Sequence, residues 1–414
     1  MIRLVVVTCS VAVLYLMLMP TNQAAAQEQP EEREPSGRVV ARVKLSSPNN
    51  EEKPVFAEAG DILTLISVKG KTALVASPEN RRANVRVQDI VTLEKSKKLY
   101  NELIEEDPKN ASLYVSRALV WDLEGEKKEV INDLTVAIRL GLKTPPTYVN
   151  RGAAYATSGE FDKAIADYDA AIELGYDDIA VFINRAVANF SKGDPKAAAE
   201  DFTRALKVDP KNEFALAQRG VAYQRSQEWD KAIADFSELY KRDNENIEAV
   251  SSRGFTHYLK GDSKKAVEDF TRAIKINPES PLAHNNRAFN RQILGQYKEA
   301  IEDYNKAIEL APKYALAHQN KAWLLATCPD DKIRDGKQAI ESARTAGELR
   351  EWKAITDIKS LAAAYAEVGD FDKAVEWQQK AVDMAEGDAK SGEEEMMKLY
   401  KAKAPFRFAA PAPK

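Results

Sequence analysis

Residues that carry chemistry are scarce in this chain. Three histidines (His257, His284 and His318) and two cysteines (Cys9 and Cys328) are all it holds in 414 residues. Two of those histidines sit 34 residues apart, and a metal site built on them would lack a nearby cysteine or third ligand. No Gly-x-Ser-x-Gly, glycine-rich phosphate loop or His-Glu-x-x-His is present. The expectation is no enzyme, no cofactor, no metal and no small-molecule substrate. An excess of one charge is also missing. Sixty basic residues face 64 acidic ones, a formal charge of −4, so nothing points to nucleic acid.

Long apolar runs are limited to one, Leu4–Met19, which follows Arg3 and precedes Ala24-Ala25-Ala26. Sixteen residues are short for a spanning helix, and Ala24-x-Ala26 has the form of a cleavage site. Residues 1–26 are expected to be a signal peptide cut after Ala26, which implies a periplasmic or secreted protein. Membrane contact would then occur only through an uncleaved leader. Cleavage leaves Cys328 as the one cysteine, so the mature chain forms no internal disulfide. Its setting, LLATCPDD at the end of a helical pattern, suggests a buried structural thiol.

Residues 27–36 are polar with Pro30 and Pro35 and read as a linker. From 37 to 93 the pattern alternates with period two: RVVARVKL, DILTLISV, TALVAS and ANVRV are short β-branched runs split by turn residues. Aromatics are lacking here as well, Phe56 being the only one between 37 and 93. A proline-rich ligand needs an aromatic-lined groove, so this part is read as a structural or docking domain.

What fills the remainder is a repeat. Glycine recurs at Gly125, Gly159, Gly193, Gly261 and Gly295, in steps of 34 or a multiple of it, with Gln227 in the one gap. Five residues after each marker stands a small or aliphatic residue: Val130, Ala164, Ala198, Ala232, Ala266, Ala300. Nine after stands a large one: Leu134, Tyr168, Phe202, Phe236, Phe270, Tyr304. Small residues let two helices approach, the aromatic fills the gap beside them, and stacking buries a face that one repeat alone cannot. The period and its columns resemble the tetratricopeptide repeat over about 94–386. The strand order from 37 to 93, closing on VRVQDIV, resembles bacterial Src-homology-3-like domains.

These resemblances imply a mainly α fold. A small N-terminal all-β Src-homology-3-like barrel (37–93) would precede a right-handed tetratricopeptide α-solenoid. A half-repeat helix (94–110), with Tyr100 and Leu103 in the aromatic and small columns, leads into eight helix-turn-helix repeats (111–386). The seventh carries an insertion at Pro329–Arg334. A capping helix (387–402, its helical part near Glu393–Lys401) and a disordered tail (403–414) complete the chain.

Two columns bear on function. Arg117, Arg151, Arg185, Arg219, Arg253 and Arg287 match Asp133, Asp167, Asp201, Asp235, Asp269 and Asp303 rung for rung, which predicts internal bidentate ion pairs rather than a basic ligand track. Lys321 continues the Arg column. Spacing leaves open whether each Arg meets the Asp of its own or of the preceding repeat. The column one residue earlier is polar: Ser116, Asn150, Asn184, Gln218, Ser252, Asn286, Asn320 and Ser360. In the family this position looks into the concave groove, and the run resembles the asparagine ladder of the O-linked N-acetylglucosamine transferase superhelix, whose amides hold peptide backbone. A further column becomes aromatic toward the C-terminus, as Phe255, Phe289 and Trp323. The expected peptide-binding groove is therefore Asn150, Asn184, Gln218, Asn286, Asn320, Phe255, Phe289 and Trp323, and the expected partner a protein or extended peptide. A carboxylate clamp would need basic groove positions, where Lys359 stands alone. The alternative is an envelope glycan-binding or assembly subunit acting through the β domain.

Overall fold

The computed structural model describes residues 95–409 together with strands between Arg38 and Thr92. The expected leader and linker lie outside the described residues. The strands are β1 (Arg38–Ala41), β2 (Leu45–Ser46), β3 (Val55–Ala57), β4 (Ile62–Lys69), β5 (Thr72–Ala76), β6 (Arg82–Arg86) and β7 (Ile90–Thr92). Five form an antiparallel sheet in the order β6-β5-β4-β1-β7, and β2 pairs with β3 as a separate hairpin. Val75 lies opposite Ala83 across β5 and β6, and both are buried. One face of this pair is therefore packed, as the alternating pattern requires.

Helices follow. After α1 (Ser96–Glu106) come the hairpins α2 (Ala111–Leu123) with α3 (Lys127–Arg139), α4 (Pro145–Thr157) with α5 (Phe161–Glu173), and α6 (Ile179–Lys192) with α7 (Pro195–Val208). Then come α8 (Glu213–Arg225) with α9 (Trp229–Arg242), α10 (Ile247–Lys260) with α11 (Ser263–Ile276), and α12 (Pro281–Ile293) with α13 (Tyr297–Leu310). The series ends with α14 (Ala315–Thr327) and α15 (Gly336–Leu349), α16 (Ile355–Glu367) and α17 (Phe371–Met384), and α18 (Asp388–Lys401). The chain divides into two compact units between Ala215 and Leu216, inside α8. In each, successive hairpins stack as a tetratricopeptide-like solenoid. Among the described residues no helix is long and apolar enough to cross a membrane.

The columns account for the packing. Every small and large residue of the two repeat columns is buried, from Val130 and Leu134 to Ala300 and Tyr304. The first helix presents a small residue to the ring of the second: a β-carbon added at Gly152 would lie 2.9 Å from Tyr168 Cε1, and one at Gly220 2.9 Å from Phe236. The markers are turn residues. Gly125, Gly159, Gly193, Gly261 and Gly295 all have positive φ, and Gln227 adopts φ 62° in their place. Pro108, Pro210, Pro278 and Pro312 each stand two residues past a helix end, where a missing N–H costs nothing.

The C-terminal end departs from expectation. α18 starts at Asp388, so the break is confined to residues 385–387, with Gly387 at φ 55°, and Gly392 lies within the helix. The expected disordered tail is also corrected, for residues 404–409. They are ordered against the seventh and eighth hairpins, because Phe406 and Phe408 find apolar surface to cover.

Candidate functional site

The arginine column is not open to a ligand. In each of six hairpins the guanidinium donates twice to the Asp sixteen residues on, as in Arg151 Nε–Asp167 Oδ2 at 2.8 Å and Arg151 Nη2–Asp167 Oδ1 at 2.6 Å. The same fork holds Arg117 to Asp133, Arg185 to Asp201, Arg219 to Asp235, Arg253 to Asp269 and Arg287 to Asp303. Each Arg therefore meets the Asp of its own repeat. A carboxylate accepting a two-pronged bond raises the guanidinium of Arg151 above its ordinary range, against the cost of burial.

Arginine has a third branch, which the sequence reading did not assign. Nη1 of Arg117 donates to Asn101, of Arg151 to Thr135, of Arg253 to Ser237 and of Arg287 to Thr271, while Arg185 reaches Asp169. Those acceptors lie sixteen residues earlier, on the second helix of the preceding hairpin or, for Asn101, on α1. One side chain thus ties its own hairpin shut and fastens it to the one before. The signal was available as another polar column at the same 34-residue step.

The amide column divides. Asn150 is exposed, and Asn184, Gln218 and Asn286 are half-buried. Asn320 is buried, and its Nδ2 donates to Asn285 Oδ1 at 3.0 Å; Asn285 in turn donates to Asn286. Ser360 is wholly buried, with Gln319 donating to it at 3.3 Å. From α12 to α16, then, the amides bond to one another between neighbouring first helices, and Asn320 offers nothing to a ligand. The tertiary cause is that α12 touches α14 and α14 packs broadly on α16.

Aromatic positions cluster in two places. The Phe255 and Tyr258 ring centroids are 5.9 Å apart on α10, and Tyr258 meets Phe289 of α12 edge-on at 5.5 Å. All three remain half-buried. Trp323 is half-buried too, but it is covered: Phe406 lies on it with centroids 5.7 Å apart, and Lys359 Nζ sits 5.2 Å from its ring. The expected groove residue Trp323 already has an occupant from the same chain.

Family models of the tetratricopeptide repeat match residues 149–213, 217–288, 281–314 and 360–386. These hairpins are tetratricopeptide repeats. The crystal structure of YrrB, described as a tetratricopeptide protein with an unusual peptide-binding site, is 22% identical; the likeness covers 44% of this chain and 95% of that one, with a TM-score of 0.41. The crystal structure of MamA is 22% identical over 40% of this chain and 96% of that one, with a TM-score of 0.37. No curated protein matches the chain.

Three further candidates, Lys359, His284 and His318, have structural partners. Lys359, the lone basic candidate for a clamp, is buried and pairs with Glu393 of α18 at 3.4 Å. His284 and His318 occupy one column, and each places Nε2 near the carbonyl of a repeat-opening proline, Pro278 at 3.1 Å and Pro312 at 2.9 Å. Cys328 is fully buried, and burial pushes its thiol up. Among the described residues no three histidine, cysteine or acidic side chains gather as metal ligands.

Proposed function

We propose that this chain is a non-enzymatic interaction scaffold that holds an extended segment of another protein along the first helices of its tetratricopeptide repeats. The observation that carries this reading is the half-exposed ring series Phe255–Tyr258–Phe289, running from α10 to α12 beside the half-exposed amide of Asn286. Rings supply contact energy, and an amide can both donate and accept, as a peptide bond does. Gln218 carries the same polar position on an earlier repeat of the same compact unit, and Asn150 and Asn184 carry it on repeats of the other. Asn320 and Trp323 are withdrawn from it.

The scaffold is expected to work outside the cytoplasm, with the leader cut after Ala26. N-terminal sequencing of the protein recovered from its native host should begin at Gln27. The N-terminal sheet is read as a Src-homology-3-like barrel serving as a second docking element. The antiparallel order β6-β5-β4-β1-β7, with the β2–β3 hairpin inserted between β1 and β4, supports that.

A pull-down from an envelope fraction tests the central reading, using wild-type protein and a Phe255→Ala/Phe289→Ala variant of unchanged helicity. The variant should lose at least one partner retained by the wild type. Identical partner sets would remove the ring series from the mechanism. Cell-wall binding through the sheet alone would instead appear as co-sedimentation that the double variant leaves untouched.

A further inference from the structure

The seventh repeat breaks a rule that the others keep. In a regular repeat the turn returns its own N–H groups to the last carbonyls of the first helix: Leu294 N donates to Asn290 O, Gly295 N to Gln292 O and Gln296 N to Arg291 O. In the seventh, Pro329 replaces the marker glycine and has no N–H, and the inserted residues 329–334 carry the chain away. Cys328 N still meets Leu324 O, and Asp335 N meets Leu325 O. The final carbonyls of α14, at Ala326 and Thr327, are left to find donors elsewhere.

The donors come from residues 404–409, Ala-Pro-Phe-Arg-Phe-Ala. Lys403 turns the chain back with φ 55°. Arg407 Nη1 then donates to Ala326 O at 3.1 Å, and the Phe408 N–H to Thr327 O at 3.1 Å. Arg407 Nη2 also pairs with the Glu367 carboxylate, which Arg334 holds from the other side at 3.0 Å. Phe406 lies on Trp323, and Phe408 meets Tyr297 edge-on at 5.9 Å. Phe408 also packs on the cluster that contains Cys328. A cation at a helix C-terminus, a main-chain bond and two rings in separate seats form the contact set of a bound peptide, here supplied by the chain itself.

We propose that Trp323, Tyr297, Glu367 and the carbonyls of Ala326 and Thr327 form a binding site for an extended aromatic–arginine–aromatic segment of a partner protein. The chain's own residues 404–409 keep that site closed until the partner displaces them. The proposal rests on the scaffold reading only for the existence of a partner. The occupant's chemistry is read from the tail: the Glu367 oxygen that Arg334 does not hold, together with the two carbonyls, calls for arginine and a main-chain N–H, and the flanking rings for aromatics.

The test is binding of a fluorescent peptide, Ala-Pro-Phe-Arg-Phe-Ala, to the full chain, followed by anisotropy. A tethered segment competes at an effective concentration of about 1 mM, so wild type should bind weakly. A Phe406→Ala/Phe408→Ala variant, its tail released, should bind about tenfold or more tightly for a peptide of ~100 μM intrinsic affinity. Adding Glu367→Gln, or replacing the peptide's arginine by glutamine, should abolish the gain. Thiol labelling of Cys328, in a Cys9→Ser background, separates release from misfolding. Labelling should quicken in the released variant and slow again when peptide is added. Equal affinity for wild type and released variant would overturn the proposal. So would a wild-type dimer that dissociates on release, since the tail would then act between copies. Failure here with Phe255- and Phe289-dependent capture intact sinks only this proposal; the reverse pattern sinks only the scaffold reading.

Discussion

Arg185 grips Asp201 through two hydrogen bonds, Nε to Oδ2 at 2.9 Å and Nη2 to Oδ1 at 2.6 Å, with both side chains nine-tenths or more out of solvent. Removing Arg185 leaves the buried Asp201 carboxylate with only the exposed Arg204 and the amide of Asn189 as side-chain donors. Arg185→Ala should therefore cost roughly 3–5 kcal/mol, whereas Arg185→Met with Asp201→Leu should be close to neutral or stabilising. Amide hydrogen exchange on α6 and α7 measures this locally, as suits an array whose stability is a sum over repeats. A double variant as unstable as the single would mean that the pair contributes net stability and not only register.

Gln227 occupies a backbone conformation that its counterparts fill with glycine. A left-handed residue with a β-carbon costs about 1–2 kcal/mol, and the extra freedom glycine gives the unfolded chain returns about 0.4–1 kcal/mol. Gln227→Gly should accordingly stabilise the α8–α9 hairpin by about 0.5–1 kcal/mol, and Gly261→Ala should destabilise its own turn. Urea unfolding of both variants checks the pair of signs.

Gly220 sits against the ring of Phe236, so Gly220→Ala brings a methyl to 2.9 Å from two ring carbons. Helix propensity gains about 1 kcal/mol, while overpacking costs about 1–3 kcal/mol. A net loss of up to ~2 kcal/mol is expected. Combining it with Phe236→Leu should cost less than the two single changes added together, because the bulk that collides is gone.

Burial lowers the ionisation of His257 and His318 below the ordinary histidine range. Around His257, Asp269 and Asp262 oppose that shift, while Lys265 and Arg253 add to it; Lys321 adds to it at His318. An unfolded histidine takes its proton near pH 6.5. Below that value the unfolded chain binds more protons than the folded one, so stability falls as pH drops from about 6.5 toward the lowered folded values. Thermal melts from pH 7.5 to 5.5 should show this slope, and His257→Gln/His318→Gln should flatten it.

The repeat itself was legible because its causes are local. A helix hairpin that must stack on copies of itself needs a small residue, a ring and a turn glycine at fixed offsets, so Gly159, Ala164 and Tyr168 announce the fold wherever they recur. The Arg–Asp rungs were legible for the same reason; the structure added that Arg151 meets Asp167 of its own repeat and that its third branch reaches back to Thr135. Tyr100, which the sequence places in the aromatic column, is wholly buried on α1.

Where symmetry stops, so did the sequence. Asn320 belongs to the same column as Asn150, yet one is buried against Asn285 and the other exposed. What separates them is how closely the neighbouring first helices pack, a tertiary quantity with no trace in spacing. Phe406 and Arg407 belong to no column at all, and a short alanine- and proline-rich stretch without helical periodicity reads as a free tail. Only the folded array brings Ala326, 81 residues earlier, within reach of Arg407. Local periodicity fixed what stacks; long-range contact between residues that never repeat decided which part of the first-helix face is open.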